Sequence, residues 1–119
     1  MRTNRPHKGL LVWQRSMDLV IDVYKMTNGF PREQRYVLTP QSQRAAISVP
    51  SNVAEGMAKR SFRDRTRFFE IAQGSLSELD TQIELAHRLG FVANETYDIL
   101  MYLIEEIQRR LSGLIKKYF

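Results

Sequence analysis

The C-terminal part of the chain carries the feature that most restricts its fold, an unbroken apolar seam of helical period. Large apolar residues recur there at alternating spacings of three and four: Tyr97, Leu100, Ile104, Ile107, Leu111, Leu114 and Tyr118. This heptad pattern is typical of a helix that packs against other helices. Each large side chain that is buried contributes roughly 1.5–3 kcal/mol, whereas ordering the backbone costs about 1–2 kcal/mol per residue. The helix therefore needs neighbours in order to fold.

The apolar surface of this last helix is also wider than a single seam requires. It includes Ile99, Met101, Leu103, Ile115 and Phe119 and covers roughly half of the circumference, against ~100° for an ordinary surface helix. Either the helix lies deep between its neighbours, or the subunit buries a second face against copies of itself.

Three further helices are predicted from apolar residues at helical spacing, over residues 11–27, 39–61 and 62–89. The first places its core face at Trp13, Met17, Val20, Ile21 and Tyr24. The third places its core face at Phe68, Ile71, Ala72, Ser75, Leu79, Ile83 and Ala86. No segment has the period of a strand, so the sequence predicts an all-α fold with one domain over residues 10–119 and a flexible basic tail over residues 1–9.

The second helix is unusual because it contains an internal proline and a polar stripe. Thr39 is suited to the N-cap and Pro40 to the first helical position, but Pro50 removes an internal hydrogen bond, at a cost of roughly 3 kcal/mol. We therefore expect a bend. The polar stripe either faces water or pairs internally or with a neighbouring subunit; it comprises Arg44, Ser48, Asn52, Glu55 and Lys59.

Catalytic and metal-binding motifs are poorly represented in the sequence. Glu84 and His87 have the Glu-x-x-His spacing of di-iron bundles, but such sites need a second pair and two further glutamates, and the other histidine is His7. There is no cysteine, no nucleophile elbow and no glycine-rich phosphate loop. We therefore expect no enzyme activity, no metal and no cofactor. No apolar run approaches the ~20 residues of a membrane span, so no membrane partner is expected. The lack of cysteine and of a hydrophobic signal core at the start of the sequence leads us to expect a cytoplasmic protein.

The distribution of charge is more informative. The net charge is +5, and residues 1–60 hold ten Lys/Arg against four Asp/Glu, whereas residues 61–119 hold eight against nine. A basic cluster interleaved with Phe62, Phe68 and Phe69 consists of Lys59, Arg60, Arg63, Arg65 and Arg67. Cations in a row suit backbone phosphates, and aromatic rings can stack on unpaired bases. The alternative is an ordinary solvated helix start in which Phe68 belongs to the core.

Several segments together resemble the 23S rRNA intervening-sequence proteins, also called four-helix bundle proteins. The family signature is similar to residues 41–61, which read QSQRAAISVPSNVAEGMAKRS. Further similarity lies at Leu11-Val12-Trp13-Gln14, at Phe30-Pro31-Arg32-Glu33, at residues 67–79 and at Leu89-Gly90-Phe91, so that the resemblance spans residues 10–114.

The resemblance implies an antiparallel up-and-down four-helix bundle without catalytic residues. It also implies similarity to the accessory variability determinant of diversity-generating retroelements, a homopentameric barrel that partners a reverse transcriptase and nucleic acid. The positions that match the family motif are Arg44, Pro50, Asn52, Glu55 and Gly56.

Two hypotheses follow. The first is an oligomeric bundle that binds RNA or DNA through Arg44, Lys59, Arg60, Arg63, Arg65 and Arg67. The second is a scaffold for a protein encoded nearby, for example a reverse transcriptase, without direct contact with nucleic acid.

Overall fold

Four helices form the architecture in the computed structural model, which describes residues 5–118. They are α1 (Leu11–Asn28), α2 (Leu38–Ala58), α3 (Phe62–Arg88) and α4 (Asn94–Tyr118). Two short 3-10 helices, Pro6–Gly9 and Arg32–Tyr36, precede α1 and α2. No strand occurs within residues 5–118, so the predicted all-α fold is confirmed.

The helices pack in an antiparallel up-and-down bundle, in which α1 contacts α2, α2 contacts α3, α3 contacts α4 and α4 returns to α1. Hydrogen bonds between α2 and α3 illustrate the antiparallel direction of consecutive helices. Between α2 and α3, Ser48 pairs with Ser75, while Lys59, just after α2, pairs with Arg65. The bundle is 43 Å long. Its two ends are therefore well separated, and each end gathers termini of all four helices.

The core is built from the stripe of each helix that faces the bundle axis. On α4 the predicted seam is confirmed, since Leu100, Ile104, Ile107 and Leu111 are buried. The other large fully buried side chains are Leu19, Val23, Val49, Val53, Phe69, Leu76, Leu79 and Ile83. Ser61 caps α3, because its hydroxyl accepts the N–H of Asp64 at 3.1 Å.

The predicted core face of α1 is wrong. Met17, Ile21 and Tyr24 are 40–53% exposed, and only Trp13 and Val20 of that set are half-buried. The helix instead buries the neighbouring stripe Val12, Ser16, Leu19, Val23 and Met26. Both stripes have helical spacing, so the spacing alone does not determine which one is buried. Packing against α2 and α4 determines it.

The predicted core face of α3 is also partly wrong. Phe69 is fully buried in the position expected for Phe68, which is half-buried, and Ile71 is 41% exposed.

The ends of the helices also differ from the expectations. Thr39 lies inside the first turn of α2 instead of capping it, because the helix begins at Leu38. Gly29 has φ −90°, so it does not take the left-handed cap conformation, whereas Gly90 after α3 does, with φ 83°.

The N-terminal segment contacts the bundle where it is described. Pro6–Gly9 packs against α1 and α2. Residues 1–4 of the predicted flexible tail lie outside the described residues, and its flexibility stays a prediction. None of the helices within residues 5–118 has the length and apolar character needed to span a bilayer.

Candidate nucleic-acid interface

Positive charge collects at the end of the bundle where α2 and α4 finish and α3 begins. This basic end comprises residues 5–9, 59–70 and 112–118 and holds two acidic and nine basic residues. The basic ones are Arg5, Lys8, Lys59, Arg60, Arg63, Arg65, Arg67, Lys116 and Lys117. At the opposite end, residues 22–37 and 84–98 hold four basic and five acidic residues. The bundle is therefore electrically polarised along its length.

The structure brings together five of the six residues that the sequence suggested for nucleic-acid binding. The five are Lys59, Arg60, Arg63, Arg65 and Arg67. Arg44 is separate from them, because it lies on α2 about 22 Å from Lys59 along the helix axis. Arg44 is thus not part of the basic end.

Arg65 is occupied within the fold. Its Nε donates a hydrogen bond of 2.8 Å to the carbonyl oxygen of Lys59, which closes the end of α2. Its guanidinium lies 5.0 Å from the ring centroid of Tyr118 and 5.9 Å from that of Phe62. Arg65 therefore ties the ends of α2, α3 and α4 together and leaves less of its charge to an external partner.

Lys59 and Arg67 share one aromatic ring. The Nζ of Lys59 is 5.2 Å from the centroid of Phe68, and the guanidinium of Arg67 is 5.6 Å from it. Cations held over a ring in this way are attracted by its quadrupole yet keep a hydrated side. Phe68 thus orients two cations of the basic end.

Arg60 and Arg63 are exposed, and within residues 5–118 neither forms an ion pair. Arg63 and Arg67 are one turn apart on α3, and both line an open groove. The other groove residues are Asp64, Thr66, Glu70 and Tyr118. Two guanidinium groups on the same helix face provide adjacent positions for phosphate oxygens.

Four basic residues of this end were missed by sequence reasoning: Arg5, Lys8, Lys116 and Lys117. They are remote in sequence from the cluster around Arg63, and only the antiparallel order of the helices brings them near. The resemblance implied that order, so the start of α3 and the end of α4 could have been placed side by side.

The polar stripe of α2 is used in two different ways. Ser48 pairs with Ser75 of α3 at 2.7 Å, and the Nδ2 of Asn52 donates to the carbonyl oxygen and the hydroxyl of Ser48. Ser51 donates to the carbonyl oxygen of Ile47. These bonds flank the buried Pro50, where α2 stays helical despite the missing N–H. Asn52 therefore supports α2 and its contact with α3.

Two other members of this stripe, Arg44 and Glu55, are exposed. Neither forms an ion pair within residues 5–118. Their separation of eleven residues places them on nearly the same side of α2. That they pair with a neighbouring subunit stays a prediction.

The Glu-x-x-His pair lies in a hydrogen-bonded cluster near the opposite end of the bundle. His87 bonds to Asn94 at 2.7 Å and stacks on Tyr97, while Glu84 accepts from Tyr97 and from Arg88. The hydrogen bond from Tyr97, followed by that from Arg88, lowers the pKa of Glu84, and the same carboxylate raises the pKa of Tyr97. Within residues 5–118, no group of three or more His, Cys, Asp or Glu side chains could hold a metal ion.

These features define the class of protein: an all-α, antiparallel four-helix bundle with one strongly basic end. The model of the 23S rRNA-intervening sequence protein family matches residues 8–113. The chain belongs to this family.

The same fold is present in a solved crystal structure from Bacteroides thetaiotaomicron VPI-5482, described as a protein with unknown function from the S23 ribosomal protein family. The two structures superpose with a TM-score of 0.83 at 23% sequence identity, and the match covers 89% of this chain and 99% of that chain. At this identity the likeness concerns the fold alone. No curated protein matches the chain.

Proposed function

We propose that this protein is a non-catalytic, oligomeric helical bundle that binds the phosphate backbone of RNA or DNA through its basic end. The observation that carries the proposal is the convergence of nine basic residues from three separate segments of the chain on one end of the bundle. Such a surface attracts polyanions without reading their sequence, because its contacts are with phosphates.

The proposal includes self-assembly, with a pentamer as the expected form from the family resemblance. Supporting observations are the bare apolar residues on two adjacent helices. On α4, Ile99 is 62% exposed and Tyr102 is 69% exposed, and on α1 Met17, Ile21 and Tyr24 form an exposed stripe. Each of these two sets is a candidate contact between subunits, because exposed apolar patches mark interaction surfaces.

The test is a binding titration with RNA and DNA at several salt concentrations. Affinity should fall steeply as salt rises, because neutralised phosphates release counterions. The double variant Arg63→Ala/Arg67→Ala should bind at least about tenfold more weakly at low salt.

The matched control is Arg32→Ala/Arg35→Ala, which removes the same charge at the opposite end of the bundle and should bind as the wild type does. Two results would contradict the proposal: no measurable affinity at low salt, or equal losses in the two double variants.

A second candidate function is a scaffold for a protein encoded nearby, for example a reverse transcriptase, without direct contact with nucleic acid. The exposed α1 stripe of Met17, Ile21 and Tyr24 favours it, because a packed helix of a partner could cover this surface. Co-purification with the product of a neighbouring gene that survives nuclease treatment would support this function. If the substitution Ile21→Glu abolished this co-purification, the contact with the partner would lie on α1.

A further inference from the structure

Three phenylalanines are interleaved with the cations of the basic end, and the fold gives them different positions. Phe69 is fully buried, where it packs against Gly56. Phe68 is half-buried beneath Lys59 and Arg67. Phe62, the first residue of α3, is 56% exposed. Phe62 is therefore the phenylalanine of this cluster whose ring is open to a ligand.

The ring of Phe62 is supported from within the protein. The centroid of Tyr118 lies 5.0 Å away, with the two rings inclined by 55°, and the guanidinium of Arg65 lies 5.9 Å from the Phe62 centroid. Arg65 is itself fixed by its hydrogen bond to the carbonyl of Lys59. A large apolar ring that is backed in this way and still exposed is preorganised to stack on another flat group.

The surroundings of Phe62 indicate which flat group fits. Arg63 follows it directly in the chain, and Arg63 and Arg67 line the groove that also contains Tyr118. Guanidinium groups bind phosphates, and a single aromatic ring beside them stacks on a base. A phosphate and a base that are bound side by side belong to one nucleotide or to two neighbouring nucleotides of a strand.

Duplexes do not present such a group, since their bases are paired and stacked inside the helix. Unpaired strands and loops do present it, and aromatic stacking is the usual way in which proteins hold their bases. We propose that the basic end prefers unpaired RNA or DNA over duplex, with one base stacked on Phe62 and adjacent phosphates held by Arg63 and Arg67. This inference rests on the proposed function and specifies its ligand.

The test compares two labelled probes of about 12 nucleotides, oligouridylate and oligothymidylate, with a DNA duplex of the same length. The full-length protein and its Phe62→Ala variant are titrated with each probe at one salt concentration. We expect the variant to bind both single strands about tenfold more weakly and to bind the duplex within twofold of the wild type. A difference between the two single-stranded probes would show whether the strand bound is RNA or DNA.

Two further variants make the outcome decisive. Phe62→Trp should retain single-strand affinity, and quenching of the new indole by the oligonucleotide would report the stacked base. Tyr36→Ala is the matched control: Tyr36 is 82% exposed and lies under the guanidinium of Arg35 at 5.5 Å, but it is at the opposite end of the bundle. It should have no effect.

The outcomes separate this inference from the proposed function. If duplex and single strands bind equally well and Phe62→Ala weakens neither or both alike, the stacking inference is overturned and phosphate binding stands. If no probe binds at low salt, both are overturned.

Discussion

At Gly56 the backbone of α2 packs closely against α3. A Cβ atom at this position would lie 2.7 Å from Cε1 of Phe69 and 3.2 Å from the carbonyl oxygen of Arg65. Phe69 is fully buried, so its ring cannot move aside at low cost. Packing thus gives a physical reason for the glycine of the family motif.

Substitution of this glycine should destabilise the bundle. We expect Gly56→Ala to lower the free energy of unfolding by about 1–3 kcal/mol, because overpacking outweighs the preference of helices for alanine. The matched control is Gly74→Ala on α3, where nothing lies within 4 Å of the added atom and a gain of about 0.5–1 kcal/mol is expected. Urea titrations measure both, and equal effects would contradict the packing argument.

Glu106 links α4 to α1 by accepting from Arg110 at 2.8 Å and from Arg15 at 3.2 Å. The Arg110 hydrogen bond, together with the charges of both arginines, lowers the pKa of Glu106 below its ordinary value of 4.5. A lowered pKa means that the folded state favours the carboxylate. The contribution to stability is therefore present above about pH 4.5 and is lost as the pH falls through the lowered pKa.

The expected consequence is a change in acid sensitivity. Glu106→Gln should flatten the decline in unfolding free energy between about pH 5 and pH 3, by under about 1 kcal/mol because exposed ion pairs are screened. Glu105→Gln, a substitution at the exposed neighbouring residue, is the control. Superimposable acid profiles for the wild type and Glu106→Gln, measured by urea unfolding at each pH, would show that the pair contributes nothing.

At the scale of elements, the helices differ in how well their buried faces could be predicted. The apolar seam of α4 is broad and uninterrupted. The pattern of Leu100, Ile104, Ile107 and Leu111 is therefore compatible with only one buried face of the helix. On α1 the true core stripe has Ser16 in its middle, which makes it look polar. This serine is fully buried because its hydroxyl donates to the carbonyl oxygen of Val12 at 2.7 Å. Hydrophobicity alone could not reveal that bond.

The element α2 combines a continuous helix with a buried internal proline. Pro50 cannot donate to the carbonyl oxygen of Ala46, and the bonds made by Ser51 and Asn52 to carbonyls one turn back lie just beyond it. The bend expected at Pro50 stays a prediction. Pro50→Ala should remove it while leaving helix content unchanged, and should alter the mass of the proposed oligomer. Circular dichroism and light scattering make the two measurements. An unchanged mass would remove any role of the proline in assembly.

At the scale of the whole molecule, the fold class and the cluster around Arg63 could be predicted from sequence, whereas the full extent of the basic end could not. Lys59, Arg60 and Arg63 are close in the chain, so their proximity needed no fold. Arg5, Lys8, Lys116 and Lys117 join them only through the packing of the termini. Charge counted along the sequence even gave the C-terminal half a slight acidic excess.

Assembly is also a property of the whole molecule. If the proposed oligomer forms, the double substitution Ile99→Glu/Tyr102→Glu should dissociate it into folded single chains, because it places charge on the exposed apolar residues of α4. Light scattering gives the mass, and circular dichroism verifies that the helices remain. Thr81→Glu, on the exposed surface of α3, is the control. An oligomer that persists in the double variant would exclude this side of α4 from the interface.

The polarised subunit has one more consequence if the copies form a closed ring. Where the bundle axes run along the ring axis, rotational symmetry turns every protomer the same way up, so all of the basic ends would meet on a single rim while the other rim stays nearly neutral. A strand long enough to reach from one protomer to the next would then gain avidity, and its affinity would rise in steps with length. Such a ring would have two different sides, one that binds a nucleic acid and one that remains accessible to a different partner.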